Sequence, residues 1–183
     1  MRLCVSLNWL RKSMENDEIN LGPRKGLAKK LAQNVIKAIG ISVAPVSLYK
    51  VIEHLQRTLN LEVIRASLTD KISGLLVVCG DVDKESMTIG FNADKPWCHR
   101  RFTIAHEIGH IMMNHTCSGN TNDKSHNETE ANNFAAELLI PTKLIKEDFK
   151  KFQNIPELSK LYRVSGEAMA IKLGDARLLK FQI

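Results

Sequence analysis

The sequence predicts an α+β fold: a small three-stranded, mainly antiparallel sheet packed on helices. Three observations predict it. Two amino-terminal stretches carry apolar residues at helical spacing. Three short apolar or alternating runs follow, with the length of strands. Beyond residue 97 helical periodicity returns and continues almost to the end.

In order, an opening segment runs to about residue 22 and contains the loop-like Asn16, Asp17, Glu18 and Asn20. Pro23 then starts a helix that Gly40 ends, because proline suits the first helical turn and glycine the position after the last. Leu27, Leu31, Val35 and Ile39 form its apolar stripe. Pro45 precedes a second helix over 46–59, with Leu48, Val51, Ile52 and Leu55 inward. Strands are expected at 61–66, 74–79 and 86–91, the last two as a hairpin around a turn at 80–84. The 74–79 run is almost wholly apolar, which predicts a central strand. A loop at 92–97 leads to a largely apolar helix over 101–113; a polar, turn-rich segment separates it from another helix over 127–140, which Pro141 stops. The stretch 156–173 has the cadence of two helices around a turn at 163–165.

A chain of 183 residues is long enough for one domain with a core, and an apolar fraction of 44% is ordinary for a globular protein. No apolar run approaches the roughly 20 residues of a membrane span, and the amino terminus lacks the pattern of a signal peptide. Cys4, Cys79, Cys98 and Cys117 are widely spaced, with no C-x-x-C pair. Reduced thiols in the cytoplasm fit this better than a disulfide framework or a cysteine zinc site. Cys98, close before the 101–113 helix, is read as a buried structural thiol. The net charge of +6 is concentrated in two clusters, Arg24, Lys25, Lys29, Lys30, Lys37 and Lys143, Lys146, Lys150, Lys151; each is read as a solvated helical face.

Chemistry concentrates in His106-Glu107-Ile108-Gly109-His110, an H-E-x-x-H motif on the predicted helix. Residues four apart share a helical face, so His106 and His110 can present two imidazoles to one metal ion. Glu107 lies about 100° further around, where its carboxylate can reach a metal-bound water without being a ligand. Two nitrogens, an open position and an adjacent base suit a hydrolytic zinc site. Phe102, Ile104, Ala105, Ile108, Ile111 and Met112 surround the motif. Burying histidine and glutamate in such surroundings is costly unless they are paired or bind metal. Gly109, poor for a helix, leaves room for another backbone to pass.

A third ligand is expected from the 127–140 helix, where Glu128, Glu130 and Glu137 compete. Glu128 shares a face with Asn132, which could stand behind it as a hydrogen-bonding group; Glu130 and Glu137 point about 200° and 180° away from Glu128. Capping is the other role open to Glu128 and Glu130, since Ser125-x-x-Glu128 and Asn127-x-x-Glu130 are capping-box patterns. The wheel does not choose between these. Of the remaining histidines, His99 at the mouth of the active helix is a candidate for substrate or oxyanion contact. His115 and His126 flank the polar segment and are read as exposed loop residues, and His54 as structural.

Arg101-Phe-Thr-Ile-Ala-His-Glu-Ile-Gly-His110, followed by Glu128-Thr-Glu-Ala-Asn-Asn-Phe-Ala-Ala-Glu-Leu-Leu-Ile-Pro141, resembles the ImmA/IrrE family of metallopeptidases. That family resembles the gluzincins, whose third ligand is a glutamate in an E-x-x-x-D/N pattern; Glu128 and Asn132 occupy those positions. The resemblance implies one Zn²⁺ (or another divalent metal) held by His106, His110 and Glu128, with Glu107 as general base and Asn132 orienting. It makes 23–141 a metallopeptidase core, with 1–22 an amino-terminal extension and 142–183 a carboxy-terminal helical segment packed on that core. It further implies a site-specific endopeptidase acting on a protein substrate such as a transcriptional repressor.

Two other readings belong to different classes. One is a metal-containing regulatory docking module without proteolysis; the intact Glu107 argues against it. The other is a DNA-binding regulator using the 156–173 helices. Its would-be recognition helix carries Lys172 as sole cation and lacks the usual Arg, Asn or Gln readers of base edges, so DNA binding is not expected.

Overall fold

The computed structural model describes residues 22–80, 85–115 and 121–179. Most of the amino-terminal extension, residues 81–84 of the expected hairpin turn, part of the polar segment, Cys4 and Cys117 lie outside them. The elements are α1 (Lys25–Ala38), α2 (Leu48–Gln56), β1 (Asn60–Ala66), β2 (Gly74–Cys79), β3 (Ser86–Asn92), α3 (Trp97–Met112), α4 (Thr121–Leu139), α5 (Thr142–Phe152), α6 (Ile155–Tyr162) and α7 (Gly166–Asp175). This is the α+β arrangement expected, with every predicted helix and strand present.

Local chemistry explains the boundaries. The Ser47, Asn154 and Ser165 side chains accept hydrogen bonds from the Lys50, Glu157 and Ala168 amides, capping α2, α6 and α7. Gly40 follows α1 with φ +66°, a conformation that favours glycine. Arg163 takes the left-handed conformation that ends α6 and turns the chain into α7.

The sheet order is β1-β3-β2. β2 and β3 pair antiparallel, with Gly74 opposite Phe91 and Cys79 opposite Ser86, while β1 runs parallel to β3 with Asn60 opposite Ser86. The most apolar strand is therefore at the edge, contrary to the expectation for 74–79. Val77 and Val78 are 43% and 49% exposed, and the central strand is β3, with Ile89 fully buried. An apolar run is expected where both faces are covered, yet the second half of β2 is exposed. Centrality is a matter of hydrogen-bonded neighbours, and β1 reaches β3 from far along the chain.

One core joins Leu31 and Val35 of α1, Val51 and Leu55 of α2, Ile89 of β3, Ile108 of α3, Phe134 and Leu138 of α4, and Leu158, Tyr162, Met169 and Leu173 beyond them. α3 and α4 cross in close contact. A Cβ on Gly109 would sit 3.0 Å from both the Cα and the carbonyl oxygen of Ala131, so the glycine admits the α4 backbone as anticipated. α4 also begins six residues earlier than the expected Asn127. Its first turns carry no apolar residue and so lack a periodic signal. A helix anchored by its packed half gains one hydrogen bond per added residue and extends through such a segment.

Two basic residues depart from the expected solvated or groove-facing positions. Arg24 binds Glu130 in a bridge of 2.9 Å. Lys172 is 3% exposed and pairs with Glu137 at 2.5 Å, so the cation of α7 points inward. Among the described residues no helix is long and apolar enough to cross a membrane.

Candidate metal centre

α3 carries His106, Glu107 and His110 on adjoining faces, and α4 brings Glu128 and Asn132, one turn apart, against them. The Nε2 atoms of His106 and His110 lie 2.9 Å apart. Glu128 Oε2 is 3.2 Å from His106 Nε2, and its Oε1 is 3.4 Å from His110 Nε2. One donor atom from each of the three thus lies within 4.8 Å of the others. The histidine side chains are 15% exposed and Glu128 59%, so the cluster is walled by α3 and opens to solvent on the Glu128 side.

The donor chemistry fits a divalent cation. His106 Nδ1 donates to Asn132 Oδ1 at 2.9 Å, so the neutral form of this ring has its lone pair on Nε2. Burial, then the neighbouring His106 and His115, push the His110 pKa down to about 4, so this ring is neutral at neutral pH. Imidazole binds metal in its neutral form. Two imidazole nitrogens and a carboxylate form the N,N,O set of an open site. Beside them, burial and the adjacent Glu128 push the Glu107 carboxyl up to about 7. Its surroundings include β2: a Cβ on Gly74 would stand 3.6 Å from Glu107 Oε1 and 2.3 Å from Thr103 Cγ2. The edge strand therefore comes against the active face of α3 because residue 74 has no side chain.

The other carboxylates of α4 face elsewhere. Glu130 accepts from the Arg24 backbone N–H (2.7 Å), Arg24 Nε (3.0 Å) and His115 Nε2 (2.9 Å). Burial alone would raise its pKa, but these partners hold it at about 2. Glu137 accepts from Gln33, Thr142 and Lys172.

His115 departs from the exposed-loop expectation. Its side chain is 4% exposed, with Nδ1 2.9 Å from His110 Nδ1. Asn114, at φ 54°, turns the chain after α3 and swings His115 back beneath His110, an orientation that a helical wheel does not represent. His126 lies on α4 rather than in a loop, and His54 in the last turn of α2. His99 is two turns before Glu107 and pairs with Ser73 Oγ at 2.7 Å, outside the cluster. Cys98 is only half-buried. It lines an open hollow of about 580 Å³ with Trp97, Lys160 and Arg163 at the far end of α3. At a rise of 1.5 Å per residue, that places it about 12 Å along the axis from His106.

A three-stranded sheet beside two crossed helices that share a His-His-Glu cluster defines a metallopeptidase-like domain. The chain belongs to the IrrE N-terminal-like domain family, peptidase family M78, whose model matches residues 57–174. Among solved structures, a Mycobacterium tuberculosis transcriptional regulator is similar in fold, with a TM-score of 0.62 at 14% identity. The match covers 85% of this chain and 47% of that one, so this chain corresponds to about half the length of the regulator. No curated protein matches.

Proposed function

We propose that the protein is a zinc-dependent endopeptidase that cleaves a regulatory protein at defined sites. The observation that carries this reading is the cluster of two imidazole Nε2 atoms 2.9 Å apart and the Glu128 carboxylate, with Glu107 next to His106 on α3 and within electrostatic reach of Glu128. His106, His110 and Glu128 would hold the ion, with Asn132 fixing the His106 ring. A bound zinc ion supplies Lewis-acid polarisation and lowers the pKa of water. Glu107 accepts the proton of the attacking water on its carboxylate and returns it to the departing amine nitrogen. Burial favours the protonated form of this carboxyl, which suits a group that must both take and return a proton. The cluster opens to solvent on the Glu128 side, which leaves it accessible. The unpaired Cys79 and Cys98 support action in the cytoplasm.

The test is incubation of the metal-loaded protein with transcriptional regulators encoded beside its gene, followed by mass analysis of fragments. One or two defined cuts in a regulator, with casein left intact, are expected; rapid unselective casein degradation would refute selectivity. Metal content tests the ligand set: Glu128→Ala should lose most of the bound zinc. The name of the Mycobacterium tuberculosis neighbour favours a second reading, a metal-containing module that regulates by docking. Full regulatory activity from a metal-loaded Glu107→Gln protein would select it.

A further inference from the structure

Beyond the cluster, a continuous chain of polar contacts, buried at His115 and Glu130, runs from His110 to the start of α1. His115 Nδ1 is 2.9 Å from His110 Nδ1, and His115 Nε2 is 2.9 Å from Glu130 Oε2. The amide, Nε and guanidinium of Arg24 close on the same carboxylate at 2.7, 3.0 and 2.9 Å. The His115 and Glu130 side chains are 4% and 3% exposed. Water therefore has little access to substitute for a missing partner.

With a divalent cation on His110 Nε2, proton accounting along this chain gives one arrangement. The neutral His110 ring then carries its hydrogen on Nδ1 and donates it to His115 Nδ1, which accepts on a bare nitrogen. An ionised carboxylate only accepts, so His115 carries hydrogen on Nε2 and donates it to Glu130. We infer that His115 is a positioning residue for His110, that Glu130 sets the His115 tautomer, and that Arg24 anchors the chain to α1. This rests on the reading of His110 as a metal ligand. Arg24 lies before the family-matched residues 57–174. A helix outside that match thus completes the support of the site.

Removing the outer hydrogen-bond partner of a metal-binding histidine commonly costs about 10–100-fold in affinity. His115→Phe keeps a ring of similar size but cannot accept from His110. In a chelator-competition titration of the full chain it should weaken zinc binding by about 10–100-fold. His115→Gln, whose amide oxygen can accept, should retain most of the affinity. Arg24→Met should move affinity in the same direction by less, because the Arg24 backbone N–H still holds Glu130. Wild-type affinity in His115→Phe would overturn the inference.

A second measurement needs no variant to fold. Nitrogen-15 histidine spectra of the zinc-loaded wild-type protein report which ring nitrogen is protonated. Hydrogen on His110 Nδ1 and His115 Nε2 is expected. Hydrogen on His115 Nδ1 in a zinc-loaded protein would overturn the chain and leave the zinc reading standing. A protein that binds no zinc would remove the zinc reading, and this inference with it.

Discussion

At the scale of single residues, Glu107 and Asn132 have separable tasks. Glu107 is the proposed proton carrier and is absent from the N,N,O set. Glu107→Gln keeps its shape and removes its basicity. It should lower turnover of a cognate regulator by about 10²–10⁴-fold while zinc stoichiometry stays at the wild-type value. Cleavage at the wild-type rate would exclude Glu107 as the base. Asn132 accepts a hydrogen bond from the far nitrogen of His106. Asn132→Ala should therefore act through affinity, weakening zinc binding by about 10–100-fold in a competition titration. Unchanged binding would mean that the His106 ring is held by packing alone.

At the scale of elements, the site depends on how closely α3 and α4 approach. Gly109 permits this, and Ala131, the residue that it faces, sits between Glu128 and Asn132 on α4. Gly109→Ala gains about 1 kcal/mol of helix propensity. Its new Cβ meets backbone atoms at 3.0 Å, which cannot rotate aside. Overpacking of this kind costs about 1–3 kcal/mol, so the balance is against the variant. The displacement would fall on the turn that carries Glu128. A lower melting temperature together with weaker zinc binding is expected; a more stable variant with intact binding would show that the crossing has slack.

At the scale of the molecule, the buried Glu137–Lys172 pair joins α4 to α7, while Gln33 ties α1 and Thr142 ties α5 to the same carboxylate. Breaking a buried pair on one side costs about 3–5 kcal/mol, whereas replacing both charges costs far less. Glu137→Gln should thus unfold at lower denaturant than the double variant Glu137→Gln/Lys172→Met. The pair also makes stability depend on pH. Burial alone would raise the Glu137 pKa, but Lys172, Thr142 and Gln33 bring it below 4.5. A carboxyl depressed on folding stabilises above its unfolded pKa, and that stability is lost as pH falls through the folded value. Burial lowers the Lys172 pKa and Glu137 opposes this, so the two charges are coupled and the double variant removes both. Melting temperature should fall more steeply in the wild type than in the double variant between about pH 5 and pH 2. Parallel curves would show that Glu137 is not a source of acid lability.

What is periodic or local in this molecule is legible along the chain. Helix and strand positions, the imidazole pair on one face of α3, and room for a backbone at Gly109 all follow from spacings of a few residues. A single helical wheel encodes such spacings. Three carboxylates on α4 were equivalent by that criterion. Tertiary structure separated them, turning Glu128 to the imidazoles, Glu130 to Arg24 and His115, and Glu137 to Lys172. It also put the apolar β2 at the sheet edge and folded His115 under His110. Each of these outcomes pairs groups from different elements, or places one group by the turn that follows an element. A buried charge takes the partner that packing brings within about 3 Å, and no periodicity along the chain records which partner that is.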